Sequence, residues 1–455
     1  MKIHLLIAIA LLLAANAASI ALAEPYRDRC VILISVDGLA NFYFDDPRAD
    51  MPTLRGLAQQ GSRASGMVCS FPTVTWPNHT SLVTGTTPAK HGVLGNNYID
   101  RKDGSSVPLI PDPLFDKEEI VKSPTIYDVA HAAGLKTAAV IWPATRNAPT
   151  LDWTVPDMFE ADAWPKYGTR SWLEELRAAG LPVEKQNQWC KEQGGGVQRD
   201  WLYSRMAAHV LKNHSPNVLL VHLVEVDHVE HRHGPRTPEA YWSVSYADDR
   251  VRDIWEAAQQ SKFKDKTTIL IASDHGFFSV SKEIRLNILL QKAGFLSDKT
   301  KQAFCLSQGG ACAVYVLDES QRAPIASRLR KELAEIEGVA GVFEPNQFAQ
   351  LGQATPQADS RAPDLWLSAK DGYSFVDSRE GDGVVVARAT PNGTHGYLPD
   401  QPDMLATLIM SGYGIKPGTT LGKISNLDVA PTMARLLGIE MPTADGKVLE
   451  SALGK

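Results

Sequence analysis

Short runs of apolar and β-branched residues recur along this chain, each closed by a polar or glycine-containing turn. They cover residues 31–36, 136–142, 217–224, 267–273 and 404–410. Between them the apolar positions fall at helical spacing, most clearly over 123–133 and 241–260. Continuously apolar strands alternating with helices predict an α/β fold: a largely parallel central sheet covered by helices on both faces. Ligands of such sheets bind beyond the carboxyl ends of the strands. Asp37 directly follows the first run, Asp227 closely follows the third and Asp274 directly follows the fourth, so three carboxylates fall on one rim. Two segments break the rhythm. Residues 148–205, rich in Trp, Pro and Gly, read as a loop-rich excursion over that rim. Residues 287–390 carry their own helix (327–337) and strands (311–317 and 365–369), and read as a smaller inserted lobe.

Composition narrows the setting. Lys2, the apolar run from Leu5 to Leu13 and the small-x-small triplet Ala21-Leu22-Ala23 predict a signal peptide over residues 1–23, and a periplasmic or secreted catalytic domain over 24–455. The run is too short to span a bilayer, and no later stretch is long and apolar enough, so no transmembrane segment is expected after processing. With 46 basic and 52 acidic residues and no basic block, the chain has no evident nucleic-acid-binding surface. Of the five cysteines, Cys305 and Cys312 are close enough in sequence to bridge in an oxidising compartment, whereas Cys30 and Cys69 read as buried thiols. None has zinc-finger spacing. The oligomeric state stays open at this level.

The chemistry lies in side chains scattered over the chain. Asp227-x-x-x-His231, the pair Asp274-His275, His395 in Gly393-Thr394-His395-Gly396, and Asp37 together make three carboxylates and three imidazoles. Mixed nitrogen and carboxylate donors suit zinc better than magnesium or calcium, and six of them suit two Zn²⁺. A hydroxyl follows from the segment 71–79, where Pro77 favours the first turn of a helix and leaves Thr75 just ahead of its amino end. Threonine is a poor nucleophile at neutral pH unless a metal ion activates it. Two Zn²⁺ against Asp37, Asp227, Asp274 and a Thr75 alkoxide give a neutral site, suited to a singly charged phosphodiester.

The ordered set of Asp37, Thr75, Asp227-x-x-x-His231, Asp274-His275 and His395 resembles the alkaline phosphatase superfamily, and within it the nucleotide pyrophosphatase/phosphodiesterase family. The resemblance spans nearly all of residues 24–455 and is most specific over 71–100, FPTVTWPNHTSLVTGTTPAKHGVLGNNYID. It implies that Thr75 is the nucleophile, forming a phosphoryl-threonine, and that Asn96 donates to an oxygen of the transferred group. It also implies one zinc on Asp227, His231 and His395, and the other on Asp37, Thr75, Asp274 and His275. The sequence departs from the family at Val226 and in the 228–230 turn, where proline and glycine are replaced. The family's two base-stacking positions fall at Trp76 and His222, and Arg146 stands where the family has an acidic residue, so substrate contacts are expected from Trp76, His222 and Arg146. The leading expectation is an exported dizinc phosphodiesterase acting on a small-molecule phosphate ester. The alternatives are a phosphomonoesterase or phosphonate hydrolase of the same superfamily, and an inactive, metal-stabilised binding protein.

Overall fold

Seven consecutive buried positions, Cys30–Val36, make the first strand (β1) the middle of the molecule. The computed structural model describes residues 25–454 except Gln193, and the expected signal peptide lies outside the described residues. The other strands of the main sheet are β2 (Ser62–Val68), β3 (Thr137–Trp142), β4 (Trp153–Pro156), β5 (Val218–Leu223), β6 (Thr267–Ala272), β7 (Leu408–Gly412) and β8 (Thr419–Ser425). Their order is β8-β2-β7-β6-β1-β5-β3-β4. All pairings are parallel except those of β7, which runs antiparallel to both β6 and β2. The run at 404–410 was expected as one more parallel strand; it starts only at Leu408, after a 3-10 turn Pro402–Met404, and is reversed.

A sheet buried on both faces needs two cores, and alternation along β1 supplies them. Ile32, Ile34 and Val36 join one core with Leu202, Met206 and Val210 of the helix Gly195–Asn213 and with Val244 and Val251 of the helix Pro238–Ala258. Val31 and Leu33 join the other with Leu82 of Thr75–Thr84, Ile126 of Ile126–Ala132 and Met433 of Val429–Leu437. Each fully buried aliphatic side chain contributes about 1.5–3 kcal/mol. The caps explain where these helices begin. Thr237 accepts from the Ala240 amide at 3.2 Å ahead of Pro238, which starts that helix three residues before the apolar periodicity does. Thr125 and Asp128 form a reciprocal capping box on Ile126–Ala132.

The excursion is more regular than its composition suggests. It opens with edge strand β4, crosses three short helices (Ala163–Tyr167, Arg170–Ala178 and Gln186–Lys191), and ends in the core helix Gly195–Asn213. Within residues 287–390 lies a four-stranded antiparallel sheet of Ala303–Gln308, Ala311–Val316, Leu365–Ala369 and Val339–Phe343, with the helix Arg322–Ala334 against it. Cys305 faces Val314 and Cys312 faces Ser307 across that hairpin, a diagonal placement, and both are free buried thiols. No helix of the described residues is long and apolar enough to cross a membrane.

Candidate metal centre and active site

The rim predicted from the strand ends is where the donors meet. Asp37 leaves β1 and is followed by Gly38 at φ +74°; a Cβ there would press on Phe277 at 3.1 Å and on the Asp227 backbone at 3.2 Å. That close approach lets the Gly38 amide donate to Asp274 Oδ1 at 3.2 Å. Asp227 and His231 lie on the helix Glu225–His233, one turn apart and therefore on one face. Asp274 and His275 follow β6, and His395 follows the strand Val385–Thr394.

Two overlapping clusters result. His231 Nε2 lies 3.3 Å from Asp227 Oδ1 and 3.1 Å from His395 Nε2, and His395 Nε2 is 3.6 Å from the same Asp227 oxygen. His275 Nε2 stands 3.3 Å from Asp37 Oδ1 and 3.2 Å from Asp274 Oδ2. The rings of His275 and His395 stack at 3.6 Å and link the clusters, while Phe277 walls off all three imidazoles. Both Asp37–Asp274–His275 and Asp227–His275–His395 bring their donor atoms within 4.8 Å of one another.

These groups fit metal ions on a criterion independent of sequence. Asp37 Oδ1, Asp227 Oδ1, Asp274 Oδ2 and His275 Nε2 are all buried and lack a hydrogen-bond partner among the described residues. Leaving one such group unsatisfied costs about 1–3 kcal/mol, and more when it is charged; four aimed at the same small space call for cations. The electrostatics agree. Burial, with Asp227 close by, pushes the Asp37 carboxyl well up, and burial beside Asp37 does the same to Asp274. Burial also raises Asp227, but the surrounding His231, His395 and His275 outweigh it and hold that carboxyl well down. Burial, reinforced by neighbouring imidazoles, lowers His275 strongly and His395 to about 4, so both rings are neutral, as ligands must be.

Thr75 is the first residue of the helix Thr75–Thr84, which begins two residues before the start expected at Pro77. Asn78 shapes the turn before it: its amide donates to the carbonyls of Ser70, Pro72 and Val74, and its oxygen accepts from the Ser70 amide at 2.7 Å. His79 Nδ1 lies 3.0 Å from the Thr75 carbonyl and 3.5 Å from Asp274 Oδ2, which sets the start of the helix beside the cluster. Asn96 Oδ1 accepts from the Trp76 amide at 2.9 Å, so the orientation of its side chain leaves Nδ2 as the outward donor.

The three expected substrate contacts are placed otherwise. Trp76 is fully buried among Val93, Leu109, Ile120 and Val121, with its indole N–H donating to Asp112 at 2.9 Å, so it offers no stacking face. Arg146 is engaged by Asp116 at 2.6 Å and by the Pro113 carbonyl at 3.1 Å, with its guanidinium over Tyr167. His222 lies on β5 with Nε2 2.9 Å from Asp37 Oδ2 and Nδ1 3.2 Å from the Ile141 carbonyl, a placement that holds that carboxylate with Oδ1 free for a metal. Partners of this kind orient metal ligands. His222→Ala is therefore expected to weaken metal affinity or turnover by about 10- to 100-fold, measured as the concentration of added divalent metal giving half-maximal rate. Sequence reasoning also missed Tyr43, whose hydroxyl donates to buried Glu230 and braces the helix that carries Asp227 and His231; no local pattern announces that contact.

Burial pushes the Asp112 carboxyl up to about 8, against the bond donated by Trp76. In the unfolded chain it titrates near pH 4. Between about pH 4 and about pH 8 the folded state holds a proton that the unfolded state has released, so this group's contribution to stability falls as pH rises. Asp112→Asn removes that dependence: its melting temperature should drop less than that of the wild type between pH 5 and pH 8, by on the order of 2 °C in a calorimetric scan.

Residues 31–398 match the model of the Type I phosphodiesterase / nucleotide pyrophosphatase family, and the chain belongs to that family. It is 24% identical over 425 residues to an uncharacterized pyrophosphatase/phosphodiesterase of Schizosaccharomyces pombe, covering 91% of this chain and 78% of that one. It is 23% identical over 434 residues to a venom phosphodiesterase of Crotalus durissus collilineatus, covering 91% of this chain but only 45% of the venom protein. Murine ectonucleotide pyrophosphatase/phosphodiesterase 5 superposes with a TM-score of 0.72 at 16% identity, over 94% of this chain and 100% of that one. The same murine protein, as an inactive threonine-to-alanine form in complex with AMP, gives a TM-score of 0.71 at 16% identity, with the same coverage. The fold is thus alkaline-phosphatase-like, and the family is one of hydrolases acting on phosphate esters.

Proposed function

We propose that this chain is an exported dizinc phosphodiesterase, with nucleotide-pyrophosphatase chemistry, that works through a phosphoryl-threonine. The observation that carries the reading is the set of unpartnered buried donors on Asp37, Asp227, Asp274 and His275 converging beside the helix that Thr75 begins. Asp227, His231 and His395 would hold one ion; Asp37, Asp274 and His275, with Thr75, would hold the other. Two zinc ions, when bound, supply a lowered pKa for the threonine alcohol and positive charge against the transferring group.

The rest falls to the protein. Thr75 Oγ1 attacks phosphorus as the bond to the leaving oxygen breaks, at a helix amino end whose dipole favours negative charge. Asn96 Nδ2, left free by the bond from Trp76, donates to a phosphoryl oxygen. Water then cleaves the phosphoryl-threonine and restores the hydroxyl. The threonine-to-alanine form of the murine relative, bound to AMP, supports both the nucleophile and a nucleotide-like substrate. The signal-like residues 1–23 support export.

The engaged state of Arg146 favours diesters over monoesters, because that guanidinium is held by Asp116 and the Pro113 carbonyl rather than left for a second substrate charge. Purified zinc-loaded protein should hydrolyse bis-p-nitrophenyl phosphate faster than p-nitrophenyl phosphate, and Arg146→Ala should change neither rate by more than about twofold. Faster monoester turnover that collapses in Arg146→Ala would replace this reading with the phosphomonoesterase.

A further inference from the structure

We propose that Glu175, His209 and His214 form a separate structural metal site, for one zinc-class divalent ion, on the rim of the sheet opposite the active site. Glu175 lies on the helix Arg170–Ala178, His209 near the end of the helix Gly195–Asn213, and His214 immediately after that helix. Their donor atoms all fall within 4.8 Å of one another. His214 precedes β5, and its ring packs at 4.6 Å on Trp153, the first residue of β4. Both strands thus begin at this cluster, whereas the ends of β1 and β6 carry Asp37 and Asp274 to the far side.

Two imidazoles and a carboxylate are a zinc ligand set that leaves a fourth position for water. The end of a 19-residue helix adds favourable negative potential for a cation. A second observation points the same way: His209 Nδ1 is enclosed and has no partner among the described residues. His214 Nε2 and Glu175 Oε2 are 2.6 Å apart, closer than the roughly 3.3 Å between donors on a tetrahedral zinc. Both side chains are partly exposed, at 20% and 41%, so they can separate by the required few tenths of an ångström. A bound ion would bolt the excursion helix Arg170–Ala178 to the core helix Gly195–Asn213.

The test is metal content, which does not depend on catalysis. Full-length wild type, Glu175→Gln and the double variant His209→Gln/His214→Asn are equilibrated at the same free zinc, and zinc per chain is measured by plasma mass spectrometry. Each variant is expected to hold one zinc fewer than the wild type, to show a smaller zinc-induced rise in melting temperature, and to hydrolyse bis-p-nitrophenyl phosphate at the wild-type rate. Equal zinc content in wild type and Glu175→Gln overturns the proposal. Glu175→Gln keeps the size of the side chain and so gives this reading even if the double variant does not fold.

Discussion

Thr75→Ala should lower turnover of bis-p-nitrophenyl phosphate by at least about 1,000-fold while leaving the melting temperature near the wild-type value. The contrast follows from how the residue is held. The turn before Thr75 is fixed by Asn78, through bonds to Ser70, Pro72 and Val74, and the Thr75 carbonyl meets His79; neither needs the threonine hydroxyl. The helix therefore survives the substitution and only the attacking oxygen is lost. Thr75→Ser, which retains a hydroxyl, should keep measurable activity. Mass spectrometry of acid-quenched enzyme should find a phosphoryl adduct on residues 71–79 of the wild type and none in the alanine variant. If Thr75→Ala retained a tenth of the wild-type rate, another group would be doing the attacking.

Stripping the metals should be nearly as severe. A chelator is expected to cut the rate at least about 100-fold, with recovery on adding zinc, and to lower the melting temperature by several degrees, because ligands that bind only the folded state stabilise it by mass action. The sign of the pH dependence follows from the carboxyls. Without cations, burial, with Asp227 close to Asp37 and Asp37 close to Asp274, holds the carboxyls of Asp37 and Asp274 protonated well above the usual carboxylate range. Zinc must expel those protons, so its affinity should weaken as pH falls, and binding should release protons, measurable by calorimetry in two buffers of different ionisation enthalpy. Proton uptake on binding would contradict this.

The three carboxylates of the cluster were legible in the sequence because Asp37, Asp227 and Asp274 each come at or soon after the end of an apolar run; His231 and His395 have no such run before them. A buried parallel strand reads as a block of Val, Ile and Leu, as in 31–36 or 267–273, and the residue after the block stands on the rim whatever the details. Direction was not legible for the run ending at Met410, since an apolar block reads the same either way; the pairing of β7 with β6 decides it. Substrate contacts failed for a related reason. Whether Trp76 or His222 faces the pocket depends on side-chain direction: the indole of Trp76 is claimed by Asp112, and β5 aims His222 at Asp37. Arg146 is claimed by Asp116, thirty residues away. The thiols of Cys305 and Cys312 are close in sequence, but the hairpin register sets each opposite a different residue.

In the β1–β5 ladder, Ser35 stands level with His222, which places the imidazole where it reaches the carboxylate of Asp37 two residues further on. Hydrogen bonds between two backbones thus act as a ruler for the carboxylate and imidazole cluster. A one-residue insertion in either strand would turn alternate side chains to the wrong face and take His222 out of reach, even if the core tolerated it. Lengthening that is harmless in a loop elsewhere would here detune the chemistry, which makes these two strands the least permissive stretch of the chain for insertions.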